Sequence, residues 1–233
     1  MTSRVTAEYP YVFPPVRFFQ KALLADHFLL ADTFRLPKRE KINRYRVLGF
    51  VGCVGLVVPL QRGRRGSSIS EVEVAAGEDN WRTKHWRSLS NMYSAAPFFE
   101  YYADELQELL SWQGRSFLEF AVRTIRWCSE KLSLATDFRL LSELSHELFG
   151  DTALLDAAKK LGAETYVMLA EDKDVRNVSR FRTAGVDVKW VSVGPVTYHQ
   201  LSPVTCPGVS ILDLLVNEGP EARQKLLESV EQD

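Results

Sequence analysis

His27-Phe-Leu-Leu-Ala-Asp32-Thr-Phe-Arg-Leu-Pro-Lys38-Arg-Glu-Lys-Ile-Asn43-Arg44-Tyr-Arg46 falls into two parts of opposite character. The apolar run from His27 to Ala31 has the length and flanks of a short buried strand, so Asp32 stands where that strand opens into a loop. In open α/β sheets ligands gather beyond the carboxyl ends of strands, and this loop presents Asp32, Lys38, Arg39, Lys41, Asn43 and Arg44 with Glu40 against them. A cationic loop behind one carboxylate suits an anionic small-molecule substrate. The plainer account of the same residues is a solvated basic loop tied down by surface ion pairs.

Upstream, Arg4-Val-Thr-Ala-Glu8 suggests a first strand, followed by a turn that Pro10, Pro14 and Pro15 hold rigid. Val16, Phe19, Leu23 and Leu24 then recur at helical spacing, so the chain opens as β–turn–α–β. Downstream, the segment from Val47 to Leu60 is apolar and β-branched, with Gly49, Gly52 and Gly55 as punctuation for one or two strands around a glycine turn. A polar loop follows from Gln61 to Ser68, and Ile69, Val72 and Val74 suggest a further strand. Three amphipathic helices come next: one capped by Asn80 and interrupted at Pro97, one striped by Phe98, Tyr102, Leu106 and Leu110, and one striped by Phe117, Ala121, Ile125, Cys128 and Leu132.

The last third alternates again. A strand near Phe138 to Leu141 leads to a helix from Thr152, with Asp151 as its cap, Lys159 and Lys160 in its last turn and Gly162 just beyond. Strands follow at Thr165 to Leu169 and at Val186 to Val193, with a short helix between them. The closing helix starts at Ser210, with Asp213 completing a Ser-x-x-Asp capping box, and Gly219-Pro220 stops it. The pattern predicts one α/β domain over residues 1–233. Its Rossmann-like mixed or parallel sheet is drawn from both ends of the chain, strands 27–31 and 165–169 are neighbours, and a helical layer is inserted over about residues 80–134.

With 45% hydrophobic and 25% charged residues and a formal net charge of −1, the chain has an ordinary globular composition, and no general nucleic-acid partner is expected. Cys53, Cys128 and Cys206 are far apart and odd in number, which fits a reducing cytoplasm. Met1 to Tyr11 lacks the apolar core of a signal peptide and no run approaches a membrane span, so a cytoplasmic protein without membrane partners is expected. No metal is expected, because no His/Cys/carboxylate set has ligand spacing. No cofactor is expected either, because both Gly-x-Gly-x-x-Gly and the Walker lysine motif are absent.

The order of short motifs resembles the WbqC-like family over roughly residues 7 to 225. The family's Ile-His-Gln-Pro and Phe-Pro are matched by Ala7-Glu8-Tyr9-Pro10 and Phe13-Pro14, and its next motifs by Ala25-Asp26, Asp32-Thr33, Lys38-Arg39 and Asn43-Arg44. Val58-Pro59, then Trp81, His85, Tyr93, Ala96, Pro97 and Phe99, then Leu161 to Ala163 with Tyr166, then Tyr198-His199-Gln200 and Ser210 to Leu215 complete the series. Two motifs depart from the family pattern. Glu8 stands at the family's histidine, and Met168-Leu-Ala-Glu-Asp172 replaces a Ser-Gly-x-Gly-Gly loop, which implies a different substrate or a lost activity. The resemblance implies a role in O-antigen, related surface-sugar or specialised-metabolite assembly, with a carrier or a further enzyme of such a pathway as partner. It leaves the oligomeric state open.

The candidate catalytic residues are Asp32, His85 and Glu8. Asp32 is pre-positioned at a strand end as a base and is equally explained as the organiser of an Asx turn. The resemblance raises His85, otherwise a hydrogen-bonded helix residue, to a candidate, and it contributes Glu8 by position. Lys38, Asn43, Arg44, Tyr198 and Gln200 are the candidate substrate-binding residues. The planar guanidinium of Arg44 suits a carboxylate or phosphate, and Arg44 equally suits an ion pair with Asp26 or Asp32. Tyr198 and Gln200 follow a strand and offer hydrogen bonds to a polar ligand, with a core-edge tyrosine as the alternative. Asp213 is assigned to capping.

Overall fold

The structure is a computed structural model that describes residues 3–37, 41–50, 52–61, 67–76, 80–145, 147–172 and 178–230. Lys38, Arg39 and Glu40 of the cationic loop, and residues 62–66 of the polar loop, lie outside the described residues.

Strands β1 (Arg4–Glu8), β2 (His27–Leu30), β5 (Asp137–Leu140), β6 (Thr165–Leu169) and β7 (Asp187–Val191) form one sheet in the order β5-β2-β1-β6-β7, with every pairing parallel. The expected neighbouring of strands 27–31 and 165–169 does not occur: β1 lies between them, paired with β2 from Val5 to Glu8 and with β6 at Arg4 and Val5. From β1 the chain crosses through α1 (Val16–Leu23) to β2 on one side, and it returns much later to build β6 and β7 on the other. This reversal of strand order makes the crevice at the carboxyl ends of β1 and β6 the place where an α/β sheet opens to a ligand.

Side chains alternate across the sheet. Phe28 and Leu30 join a core that also contains Phe18, Phe19 and the helical layer, while Leu29 joins a second core on the opposite face with Val5, Ala7, Tyr166 and Phe181. The helical layer is α2 (Asn80–Tyr93), α3 (Phe99–Ser111) and α4 (Phe117–Lys131), close to its expected bounds. Phe18 and Phe138 both pack on Phe28, with ring centroids 4.5 and 5.1 Å from it, and so tie α1 to the sheet. The second face carries α5 (Leu141–Leu144), α6 (Gly150–Lys160) and α7 (Ser179–Thr183).

The Val47–Leu60 segment resolves into an antiparallel hairpin, β3 (Arg44–Gly49) and β4 (Gly52–Val57). Gly52 sits at φ 101°, where a side chain is strained, and a Cβ on Gly49 would come within 2.8 Å of the Met92 side chain on α2. Two local readings are corrected. Ile69 to Glu71 is a 3-10 turn rather than strand, because Ser68 and Glu71 close a capping box in which the Glu71 carboxylate accepts the Ser68 N–H at 2.9 Å. Helix α6 begins at Gly150 with Phe149 as an uncapped N-cap, and Asp151 lies in its first turn. Its other end is as expected: Gly162 is left-handed, and Ala163 N–H reaches back to Ala158 C=O at 2.9 Å.

His85 is a core residue on α2. Its Nδ1 accepts from Tyr45 O–H at 3.0 Å, its Nε2–H donates to Val57 C=O at 3.2 Å, and Trp81 packs against its ring. The cysteine spacing suggested no pair, yet Cys53 on β4 is disulfide-bonded to Cys206, 153 residues away, with a Cα–Cα distance of 5.4 Å. Among the described residues no helix is long and apolar enough to cross a membrane.

Two outcomes follow from the fold. Burial lowers the pKa of His85 to about 4, with its bond to Val57 C=O opposing, so the folded state holds this histidine neutral while the unfolded chain takes up its proton near pH 6.5. Its contribution is fully present above pH 6.5 and is lost as pH falls toward 4, by up to about 3 kcal/mol. Urea unfolding at pH 7.5 and 4.5 should therefore show a smaller stability loss on acidification for His85→Gln than for the wild type; equal losses would exclude His85 as the source. Reduction of Cys53–Cys206 opens a loop 153 residues long, which should lower stability by about 2–4 kcal/mol. Dithiothreitol should lower the unfolding midpoint of the wild type and leave that of Cys53→Ser unchanged; a wild type indifferent to reductant would show that the bond carries no stability.

Candidate functional site

A cavity of about 950 Å³ opens at the carboxyl ends of β1 and β6. Its floor is the end of β1 and the first turns of α1, and the opposite wall is a strap over residues 194–209 without regular secondary structure. The strap is tied down along its length. Gln20 Nε2 donates to Gly194 C=O and to Ser229 Oγ, both at 2.8 Å, Val209 C=O accepts from Val16 N–H at 3.2 Å, and Cys206 carries the disulfide to β4.

The charge on the floor comes from an ion pair. Lys21, 3% exposed, extends from α1 back to the end of β1, where Nζ donates to Ala7 C=O at 2.9 Å and to Glu8 Oε2 at 3.0 Å. Glu8 Oε1 accepts from Tyr9 N–H at 3.2 Å. A lysine this buried needs both acceptors, and truncating the Glu8 side chain would take one of them away. One helical turn earlier, Arg17 crosses the crevice to the end of β6 and binds Glu171 at 2.8 Å and Asp172 at 2.7 Å. Burial works against the Arg17 charge, but the hydrogen bond and charge of Asp172, with the charges of Glu171 and Glu8, outweigh it and raise the guanidinium pKa. Both departures from the family pattern, Glu8 and the Glu171–Asp172 acids, thus meet cations of the same helix.

The strap contributes a buried polar hub. Asp213, in the first turn of α8 (Ile211–Glu218), is fully buried, and its carboxylate accepts from Tyr93 O–H at 3.0 Å, Tyr198 O–H at 2.7 Å and Gln200 Nε2 at 2.7 Å. The capping-box assignment of Asp213 is therefore corrected. Ser210 alone caps, its Oγ accepting from Leu212 N–H at 3.2 Å, because three side-chain donors draw the Asp213 carboxylate into the interior. Desolvation raises the Asp213 pKa against the pull of these three donors, and burial beside this carboxylate raises that of Tyr198.

Of the residues singled out from sequence, Glu8, Tyr198 and Gln200 line this cavity together. Asp32, His85, Asn43 and Arg44 are not brought to it. Asp32 is fully buried beyond β2, with Oδ1 accepting Ser142 N–H at 3.0 Å and Oδ2 without a hydrogen-bond partner among the described residues. Asn43 Nδ2 donates to Val58 C=O at 2.8 Å, and Arg44 is exposed on β3 with its aliphatic stem over Gly55. Lys38 lies outside the described residues. The sequence reading gave Arg17 no role, and it named Lys21 only within the family motif Phe18-Phe19-x-Lys21, Asp172 only as a departure from the family pattern and Asp213 only as a cap. The i, i+4 spacing of Arg17 and Lys21 on a helix entered directly from a strand end was the available signal for two of them. Among the described residues no group of three His, Cys, Asp or Glu side chains comes together to hold a metal.

The WbqC-like protein family model matches residues 9–225. A Mycobacterium tuberculosis (strain ATCC 25618 / H37Rv) protein, named only as uncharacterized protein Rv1507c, is 31% identical over 210 residues, which cover 88% of this chain and 89% of that protein. No solved structure gives a significant match. The chain belongs to the WbqC-like protein family.

Proposed function

We propose that this chain is a biosynthetic enzyme that acts, at the cavity beyond β1 and β6, on an anionic amino-sugar or amino-acid-derived intermediate in surface-polysaccharide or specialised-metabolite assembly. The observation that carries the reading is the pair of half-buried Glu8 with buried Lys21 at the carboxyl end of the central strand, in a cavity of about 950 Å³ that suits a small polar metabolite. The described lining holds three carboxylates, Glu8, Asp151 and Asp172, against the two cations Arg17 and Lys21. That balance favours a substrate with both signs of charge: an amine facing the carboxylates and an acidic group facing Arg17 and the N-terminal turn of α1. In a group transfer Glu8 would accept the proton of the attacking amine or hydroxyl as the new bond to an activated acyl or glycosyl donor forms and the donor's leaving group departs.

A second reading, a non-catalytic binding or scaffold protein of the same pathway, is favoured by one observation. Lys21 with Glu8, and Arg17 with Glu171 and Asp172, are already paired within the protein. Purified protein incubated with amino-sugar nucleotides, amino acids and activated acyl donors, followed by mass spectrometry, separates the two. The enzyme reading expects a mass-shifted product whose rate falls about 100-fold or more in Glu8→Gln. Because glutamine still accepts from Lys21, urea unfolding should shift by no more than about 2 kcal/mol. A product rate indifferent to Glu8→Gln removes Glu8 from the chemistry, and saturable binding without any product favours the scaffold.

A further inference from the structure

We propose that Asp213 is a positioning residue that locks the side-chain amide of Gln200 with its nitrogen turned inward. Gln200 then meets the ligand through Oε1 alone and selects for a hydrogen-bond donor, an ammonium or a hydroxyl, at that point of the cavity. The inference rests on the cavity being the ligand site.

The amide nitrogen, a donor only, is turned against two acceptors, Asp213 Oδ2 at 2.7 Å and Tyr198 Oη at 3.0 Å. Tyr198 gives its own proton to the same Asp213 oxygen at 2.7 Å, so its oxygen is left to accept from Gln200. The other Asp213 oxygen accepts from Tyr93 O–H at 3.0 Å, and the Tyr93 oxygen in turn accepts Leu48 N–H at 3.2 Å. An ionised carboxylate only accepts, and every donor around it has one place to go. Turning the amide over would bring Oε1 against Asp213 Oδ2 and a tyrosine oxygen that has already spent its proton, two acceptor–acceptor contacts in a buried setting.

What remains of Gln200 is Oε1, which makes no hydrogen bond to the described residues, on a half-buried side chain that lines the cavity. A group built only to accept rejects a ligand that brings another acceptor, because one of the two then stays unpaired. The same donor-seeking character recurs in Glu8 and Asp172 across the cavity. Gln200 therefore reads one polar atom of the ligand without adding charge, and Asp213, which does not line the cavity, acts through it.

Amide-proton exchange and a matched probe pair test this on the whole chain. In the wild type the two Gln200 Nε2 protons, assigned by NMR against Gln200→Met, should exchange slowly with water; Asp213→Asn should speed that exchange at least tenfold, with Tyr198→Phe as the second variant if Asp213→Asn does not fold. D-glucosamine at pH 6.5 and 2-deoxy-D-glucose, which lacks any donor at the same ring carbon, are then titrated with cavity resonances as the readout. The wild type should prefer glucosamine, and Gln200→Met should reduce that preference about tenfold. Fast wild-type exchange overturns the positioning by Asp213, and a preference unchanged in Gln200→Met overturns the selectivity, both leaving the cavity reading intact. A wild type in which neither sugar perturbs cavity resonances overturns the cavity reading and this inference with it.

Discussion

Strand β1 is bonded along both edges, to β2 on one side and to β6 on the other, and the arrangement of the molecule depends on that double commitment. A parallel strand cannot reach its neighbour by a tight turn, so β1 leads through a crossover to β2 and β6 through another to β7, and the two diverge from neighbouring carboxyl ends. The gap between them cannot be closed by the sheet itself. Here it is spanned by charge: Lys21 and Arg17, one turn apart on α1, reach Glu8 at the end of β1 and the two acids beyond β6. The crevice and its ion pairs thus have one origin, the position of the first strand in the middle of the sheet.

The turn that joins β1 to α1 is held from three directions. Phe13 adopts φ 42°, a left-handed conformation that costs a bulky residue about 1–2 kcal/mol, and its ring is fully buried. Its N–H donates to Thr124 Oγ1 of α4 at 3.0 Å and its carbonyl accepts from Ser210 Oγ at 2.9 Å, while Val12 N–H bonds Ile42 C=O at 3.0 Å. The helical layer, the segment before the hairpin and the cap of α8 therefore converge on one turn. Through Ser210 the same contact sets the start of α8 and with it the place of Asp213 under the strap.

Much of this was readable in the chain because the signals were local. The apolar stripe of Phe117, Ala121, Ile125 and Cys128 fixes a helix face over about three turns, and the Thr165 to Leu169 run is bounded on both sides. Strand order is not local: β2 and β6 have the same buried character whether they touch or flank β1, so their adjacency was misjudged. Two helix-start patterns had opposite outcomes for a physical reason. Ser68 and Glu71 sit in a partly exposed turn where the Glu71 carboxylate is free to reach the Ser68 N–H, whereas Asp213 is surrounded by tyrosine and glutamine donors that draw its carboxylate away from the backbone. His85 matches its family motif and Glu8 replaces the histidine of another, yet His85 faces Trp81 and Tyr45 in the core while Glu8 faces the cavity. Arg17 was passed over, and Lys21 was read only as part of the motif Phe18-Phe19-x-Lys21, because Phe18 and Phe19 carry the stronger, apolar signal of the same helix.

The central position of β1 also bears on how the chain is made. Its partner on one edge, β2, follows within 30 residues, but the partner on the other, β6, begins only at Thr165. For most of synthesis the amino-terminal half carries a parallel edge whose N–H and C=O groups await residues not yet present. Pairings of such wide sequence separation slow folding, and an open edge of this kind invites pairing with other chains. The strand that organises the finished molecule is therefore also its most exposed element while the chain is incomplete, and nascent or truncated forms ending before β6 are the ones a cell would have to shield.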